Sequence, residues 1–149
     1  EIPNVMATFQ YNFLCAADTI PPLVINWSPE LQEEIPVNAA LQVEVVDYET
    51  GVDINSIQLY LDDEILTIDN PVPNGDGNGF IVGYTPSAMN YYSLGEHEFR
   101  IVATDNAIPI PNEVDSTSTF ICIEDGNHRS LKTISRTNMK RMRRQTRFS

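Results

Sequence analysis

Apolar and polar positions alternate on both sides of a turn in the stretch 41–64. The apolar positions are Leu41, Val43 and Val45 before the turn, and Ile57, Leu59 and Leu61 after it. Alternation with a period of two is typical of antiparallel strands that have one buried face and one wet face. The segment between them carries a turn glycine, Gly51, and aspartates that can accept bonds from nearby backbone N–H groups. The pattern predicts a pair of antiparallel strands around a tight connection, to which the rest of the chain adds strands.

The same alternation and turn signals predict the other elements of the chain. Strands are predicted at 5–17, 23–27, 37–46, 57–66, 80–84, 95–104 and 116–123, and loops at 30–36, 69–79 and 107–113. The segment 85–94 is a crossing with room for one helical turn. Strands at this spacing, with turn signals between them and no long helical pattern before residue 128, predict an all-β antiparallel sandwich. Its expected core residues are Val43, Val45, Leu59, Leu61, Phe99 and Ile101.

Charge divides the chain into an acidic body and a basic tail. Residues 1–125 hold all 21 acids and one basic residue, Arg100, which gives a formal charge of −20. The tail holds eight basic residues and no acid, hence +8. An acidic body disfavours nucleic acid and anionic membranes as its partners. The predicted organisation is an N-terminal extra strand with a proline linker (1–22), the sandwich (23–125) and a basic C-terminal tail (126–149).

The sequence of the basic tail leaves three interpretations open. A block of like charge is usually disordered, but Ser130 could cap a helix with apolar residues along one side. A partner for an ordered tail would be the acidic body, its own or a neighbour's, with nucleic acid or anionic lipid as the rival. The contact residues we expect are called here the basic quartet: Lys140, Arg141, Arg143 and Arg144.

Several motifs resemble those of tandem immunoglobulin-like domains in bacterial and viral surface proteins, with cadherin and fibronectin III domains as wider relatives. They are Asp47-x-x-x-Gly51-Val52-Asp53-x-x-Ser56-x-x-x-Tyr60-x-Asp62, Tyr84-Thr85-Pro86, Leu94-Gly95-Glu96-His97, Ala103-Thr104-Asp105-Asn106-Ala107 and the linker Asp18-Thr19-Ile20-Pro21-Pro22. The chain departs at residues 107–111, where that family usually turns through Gly-Asn. The resemblance implies an immunoglobulin-like sandwich with a non-enzymatic role in display, spacing or adhesion, at a cell or virion surface.

The N-terminal segment echoes the last predicted strand. Aligning Phe13-Leu14-Cys15 with Phe120-Ile121-Cys122 gives an offset of 107 residues, about the length of one sandwich domain. On this basis the segment, with Phe9, Tyr11 and Phe13, packs against another copy or a tandem domain rather than its own body; the alternative is a chance match of short apolar strands. Cys15 and Cys122 are then equivalent positions. They would be bridged only if the segment folds back, and otherwise are free thiols packed as small hydrophobes.

Two groups of oxygen-bearing side chains are candidate Ca²⁺ ligands. The loop Asn74-Gly75-Asp76-Gly77-Asn78-Gly79 resembles the opening of a calcium loop, with Asn74, Asp76 and Asn78 as ligands, but Thr85 stands where the full loop needs a glutamate. The second group is Asp18, Asp47 and Asp105, at predicted strand ends near the linker, as in tandem domains made rigid by calcium. Turn residues are the alternative for both groups.

Catalysis has little support in the sequence, since neither His97 nor His128 has neighbours that indicate a nucleophile or an orienting acid. No apolar run approaches the roughly 20 residues that cross a bilayer. We therefore expect a non-enzymatic structural or adhesion module of an extracellular surface or filament protein. The alternatives are a virion or pilus-like subunit joined by strand exchange between copies, and a calcium-dependent module that binds a surface glycan.

Overall fold

A computed structural model describes residue 8 and residues 10–124 of the chain. It contains nine strands: β1 Leu23–Ser28, β2 Glu34–Pro36, β3 Leu41–Val46, β4 Gln58–Leu61, β5 Glu64–Ile65, β6 Val72–Pro73, β7 Gly79–Tyr84, β8 Gly95–Thr104 and β9 Glu113–Ile123. A 3₁₀ turn at Ile54–Ser56 is the one helical element in this part of the chain. The described residues include no helix long and apolar enough to cross a membrane.

The strands form two sheets. One has the order β1-β3-β7-β6 and is antiparallel throughout, and the other has the order β2-β9-β8-β4-β5. In the second sheet β2 runs parallel to β9, while the remaining pairs are antiparallel. The predicted all-β sandwich is confirmed.

The core lies between the two sheets, because each long strand turns alternate side chains inward. Of the six expected core residues, Val43, Val45, Leu59, Phe99 and Ile101 are fully buried, and Leu61 packs partly buried against them. Phe120 and Cys122 of β9 complete the same layer. The rings of Trp27 and Phe99 pack in a T-shaped arrangement, with 5.4 Å between ring centroids, a geometry that aromatic quadrupoles favour.

The stretch 41–64 does not form a paired hairpin, so that prediction is wrong. β3 pairs with β1 and β7 in one sheet, whereas β4 pairs with β5 and β8 in the other. The residues between them cross from sheet to sheet, and a bridge from Val52 to Asp105 fixes the crossing. Both strands therefore bury their apolar faces against each other across the core. Two strands that face each other in this way and two strands that pair side by side have the same period-two alternation, so the pattern alone cannot distinguish them.

Other predicted elements also differ from the structure, among them the loop expected at 69–79, which contains the edge strand β6, and the strand expected at 37–46, which begins only at Leu41. The strand expected at 57–66 is a hairpin, because Asp62 and Asp63 adopt positive φ values of 48° and 67° and reverse the chain. The acidic loop at 30–36 contains the edge strand β2. Residues 10–17 belong to no strand, so the strand expected at 5–17 does not form there; residues 1–7 and 9 lie outside the described residues.

Strand register assigns the loops to two ends of the sandwich. At one end, called the linker end, β1 begins beside the end of β3, and the loops 47–53, 74–79 and 105–112 come together. At the other, called the hairpin end, lie the turn at Asp62, the loop 85–94 and the last residues of β9. The linker Asp18–Pro22 enters at the first end, and β9 leaves at the second.

Candidate functional site

The candidate site lies at the linker end and begins with Asp47, the residue after β3. Its Oδ1 accepts bonds from the backbone N–H groups of Glu49, Thr50 and Gly51, at 3.1, 2.7 and 2.9 Å. This compact turn requires a positive φ of 77° at its last residue, a conformation that glycine adopts without strain. The carboxylate of Asp47 is thereby held almost fully buried.

Asp105, at the end of β8, has the same role in the neighbouring loop. Its Oδ1 accepts from the N–H groups of Ala107 and Asn112, at 3.0 and 2.8 Å, and its Oδ2 accepts from the Asn112 amide at 2.7 Å. Only 1% of the residue is exposed. These bonds close the loop 105–112 although its sequence departs from the Gly-Asn turn of the resembled family.

Asp18 brings the linker to these two loops. Its Oδ1 accepts from the Ile20 N–H, and its Oδ2 accepts from the Thr50 hydroxyl at 2.8 Å. The Asn112 amide, already bonded to Asp105, also donates to the Asp18 carbonyl at 3.3 Å. The linker is therefore tied to both loops by side chains that belong to the sandwich.

The three carboxylates converge. One oxygen from each of Asp18, Asp47 and Asp105 lies within 4.8 Å of the others. Among residues 10–124 the single lysine or arginine is Arg100, which forms its ion pair elsewhere, with Asp115 at 2.6 Å. Within the described part of the chain, polar N–H and O–H groups therefore stabilise this negative charge, in a place where two of the carboxylates have little access to water.

Glu49 adds a fourth carboxyl at the edge of this group. A hydrogen bond with Asp18 raises the pKa of Glu49, and desolvation and the charges of Asp18 and Asp47 raise it further. The pKa of Asp18 is lowered instead, chiefly by the bond from the Ile20 N–H. Crowding of like charges raises the pKa of a carboxyl in this way, because it disfavours the charged form.

Oxygen ligands at this spacing fit a calcium ion. Ca²⁺ takes about 6–8 oxygen ligands at roughly 2.3–2.6 Å, so two ligand oxygens on one ion lie at most about 5 Å apart. The separations among the three carboxylates fall within that limit. The cluster thus has the donor chemistry and the spacing of a hard-cation site.

The loop 74–79 lies beside this cluster, since its Asn78 carbonyl accepts from the Asp47 N–H at 3.0 Å. The Asn74 oxygen accepts from the N–H groups of Asn78 and Gly79, and its amide donates to Asn78 and Glu44. Asn74 therefore closes the turn, which is the alternative interpretation of this loop, while Asp76 lies exposed at its tip. Calcium binding by Asn74, Asp76 and Asn78 stays a prediction.

A cavity with a volume of about 430 Å³ lies at the hairpin end. Its lining includes Asp62, Tyr91, Ser93 and His97. His97 Nδ1 lies 2.6 Å from an Asp62 oxygen, and Nε2 lies 2.9 Å from the Ser93 carbonyl but 3.4 Å from its hydroxyl. Because both ring nitrogens face acceptors, this geometry favours the imidazolium form, which has no lone pair to activate the hydroxyl.

These same bonds set the protonation of His97. Burial opposes the charged form, but the bonds to the Ser93 carbonyl and the Asp62 carboxylate outweigh it, and the pKa of His97 is raised. Asp62 also accepts from the Glu98 N–H at 2.9 Å. The group fastens the β4–β5 hairpin to β8 at Asp62, one of the two turn residues with a positive φ.

The predicted partner-contact residues fall in two places. Tyr11 and Phe13 are both more than 80% exposed, and Leu14 beside them is 96% exposed. Phe9 and the basic quartet lie outside the described residues. Cys15 is exposed and Cys122 is buried, and both are free thiols; burial raises the pKa of Cys122. Cys122 is thus the small buried hydrophobe expected, and Cys15 is not.

The sequence identified Asp18, Asp47 and Asp105 but not their supports. Thr50 and Asn112 tie the linker to the two loops, and Glu49 lies at the edge of the cluster, where Asp18 raises its pKa. Glu49 and Thr50 lie within the predicted turn, so their closeness to Asp47 could have been expected. The position of Asn112 depends on how the loop 105–112 folds back, for which its two prolines gave no signal.

Comparisons with known proteins give information about the fold only. No protein-family model matches the chain, and no curated protein matches it. Among solved structures, the X-ray structure of the endo-beta-1,4-mannanase from Thermotoga petrophila is similar, with a TM-score of 0.50 and 16% identity. The match covers 72% of this chain and 21% of that chain, so this chain spans about a fifth of the mannanase. At such identity the similarity concerns the fold alone.

Proposed function

We propose that this chain is a non-enzymatic structural module of an extracellular surface or filament protein, built as an immunoglobulin-like sandwich. It would serve spacing or adhesion, in contact with neighbouring copies or tandem domains. The observation that carries the proposal is the position of Asp18. A residue of the linker shares one cluster with Asp47 and Asp105 of the sandwich, which is the arrangement expected where the angle between successive units has to be fixed.

Strand order supports the immunoglobulin-like assignment. The sheet β1-β3-β7-β6 has the order of strands A, B, E and D, and β9-β8-β4 has that of G, F and C. The motif resemblance extends over both sheets and the linker. The mannanase likeness adds only that a similar fold occurs within a larger chain.

The second part of the proposal is that the cluster of Asp18, Asp47 and Asp105 binds Ca²⁺. The divalent ion would offset the charge of carboxylates that no described lysine or arginine reaches, and it would fasten the linker to both loops. The crowding that raises the pKa of Glu49 supports this, because a cation relieves the same repulsion. The loop 74–79 is the weaker candidate, since the Asn74 oxygen already accepts two backbone N–H groups.

Calcium titration of the metal-free full chain by calorimetry tests this part directly. We expect one equivalent to bind, and Asp18→Asn to weaken binding at least about tenfold by removing one of three charged ligands. Asp76→Asn is the matched control, because it makes the same change in the neighbouring loop, and it should leave binding unchanged. Equal loss in both variants would indicate only a general charge effect, and loss in Asp76→Asn alone would move the site to the loop.

The exposed N-terminal segment supports a third part, that residues 8–17 add as a strand to another unit. Three large apolar side chains there are almost fully exposed, and an unpaired apolar strand is a template for pairing with another chain. Strand exchange in a virion or pilus-like polymer is the alternative that uses this same observation. The basic quartet would add an electrostatic contact with the acidic body of a neighbour.

A further inference from the structure

We propose that the two ends of the sandwich are complementary docking surfaces, so that the hairpin end of one unit packs on the linker end of the next. This inference rests on the proposed function, in which the N-terminal segment belongs to a neighbouring sandwich, and it names the surface and its partner. The occupant is a second sandwich of this same kind, in head-to-tail order.

The linker end carries apolar side chains that its own core does not use. Ile108 and Ile110, at the tip of the loop 105–112, are 84% and 76% exposed. Tyr48, in the turn that Asp47 closes, and Ile20, in the linker, are also exposed. Scattered apolar residues are normal on a surface, but four of them on adjoining loops at one end form a candidate contact patch.

The hairpin end carries a matching set. Met89, at the tip of the loop 85–94, is 91% exposed, and Tyr91 and Leu94 of the same loop are about half exposed. The loop is fixed at its base, because the Tyr92 N–H and hydroxyl donate to the carbonyls of Val37 and Ala39, at 3.0 and 2.9 Å. This fixed base holds the loop that carries the exposed side chains, of which Tyr91 lines the 430 Å³ cavity.

Chain connectivity brings these two ends together. In the sequence echo, Phe13 and Cys15 match Phe120 and Cys122 at an offset of 107. In the structure those two β9 residues are buried in the core, and β9 ends at the hairpin end. If residues 8–17 are the last strand of another sandwich, they leave it at its hairpin end.

The linker then sets the distance between the two sandwich units. Asp18 follows that strand directly and is bonded at the linker end of this sandwich to Thr50 and Asn112. Few residues separate the two units, and Pro21 and Pro22 keep this segment stiff. The hairpin end of the preceding unit therefore faces the loop tips at Ile108 and Tyr48. The contact is heterologous, joining two different surfaces, and so it propagates along a row of units.

A tandem protein made from this chain tests the docking. Residues 18–124 are fused directly to residue 18 of a second copy running to residue 149, which preserves the 107-residue offset. Every residue of the buried core lies between residues 35 and 122, so the first unit keeps its whole core. Met89→Cys in the first unit and Ile108→Cys in the second should form a disulfide on mild oxidation.

The control pair places Thr117→Cys, on the exposed side of β9, in the first unit in place of Met89→Cys. We expect the docked pair to oxidise at least about tenfold faster, because docking raises the local concentration of the two thiols above that of a flexible tether. Adding Ile110→Asp to the second unit should abolish this advantage, while Leu31→Asp, at an exposed apolar position away from both ends, should leave it intact. Equal rates for the docked and control pairs would overturn the inference.

Calcium titration of the same tandem protein separates this inference from the proposed function. Two bound equivalents without preferential cross-linking would overturn the docking and leave the cation junction standing. Preferential cross-linking without bound calcium would support the docking and overturn the cation site. If neither occurs, both are wrong.

Discussion

Replacing Asp47 separates its structural role from its proposed role as a cation ligand. Asp47→Asn keeps an oxygen where Oδ1 accepts the three N–H groups of the turn. A neutral amide oxygen is a weaker acceptor than a carboxylate by about 1 kcal/mol per bond, hence about 3 kcal/mol for three bonds. The substitution also removes repulsion from the Asp105 charge, whose nearest oxygen lies within 4.8 Å. At an effective dielectric constant of about 20, that repulsion is about 3 kcal/mol.

The two effects offset each other, so metal-free Asp47→Asn should unfold with nearly the wild-type free energy. Calcium should discriminate between the two proteins. At 100 times its dissociation constant, one bound ligand stabilises the native state by about 2.7 kcal/mol, and the variant should lose most of that gain. Asp47→Ala is the comparison variant. It also loses the charge repulsion, but it loses all three bonds, worth about 6 kcal/mol when made to a carboxylate, and should be less stable by about 3 kcal/mol without calcium.

The assay is urea unfolding followed by tryptophan fluorescence, in EDTA and in millimolar calcium. Trp27 packs on Phe99 in the core and reports on the whole sandwich. A wild-type gain in calcium that Asp47→Asn reproduces in full would refute the ligand assignment. Strong destabilisation of metal-free Asp47→Asn would refute the offset between repulsion and hydrogen bonding.

Three further outcomes are expected. Val45→Asp places an unpaired charge at a fully buried position and should prevent folding, so a cooperative melt of the soluble variant would contradict the core assignment. Because the pKa of His97 is raised in the folded state, its contribution to stability is complete below about pH 6.5, the unfolded value, and is lost as pH rises through the folded value. The free energy of unfolding of wild type and Asp62→Asn between pH 5.5 and 9 measures this contribution, and an equal pH dependence in both proteins would refute it. Changing the basic quartet to glutamine should weaken self-association and flatten its salt dependence, as measured by sedimentation, with melting unchanged.

The sequence predicted the strands well and their partners poorly. Alternation identifies which face of a strand is buried, and Gly95–Thr104 was predicted with the bounds it has. Alternation does not identify the neighbouring strand within a sheet. The sequence therefore predicts β3 and β4 as a pair, although they lie in opposite sheets. The edge strand β2 was missed because its three residues owe their conformation to parallel pairing with β9, a contact distant in sequence.

For the candidate site too, the sequence predicts individual residues better than the contacts between them. Asp47 and Asp105 were foreseeable, because aspartates at strand ends close turns by accepting local N–H groups. Their convergence with Asp18 was expected only through the family resemblance. The bonds that hold the three together, from Thr50 and Asn112, depend on two loops that meet from different sheets. No local pattern encodes such a meeting, since Asn112 lies 94 positions from Asp18.

The most direct test of the structural-module account is removal of residues 1–17. The buried core lies wholly within residues 35–122, and the exposed Tyr11, Phe13 and Leu14 contribute nothing to it. Thermal unfolding of residues 18–149, together with sedimentation velocity beside the full chain, should show an unchanged melting temperature and a monomer that no longer associates. Unfolding of the shortened protein would show instead that the N-terminal segment belongs to its own sandwich, and would contradict the account.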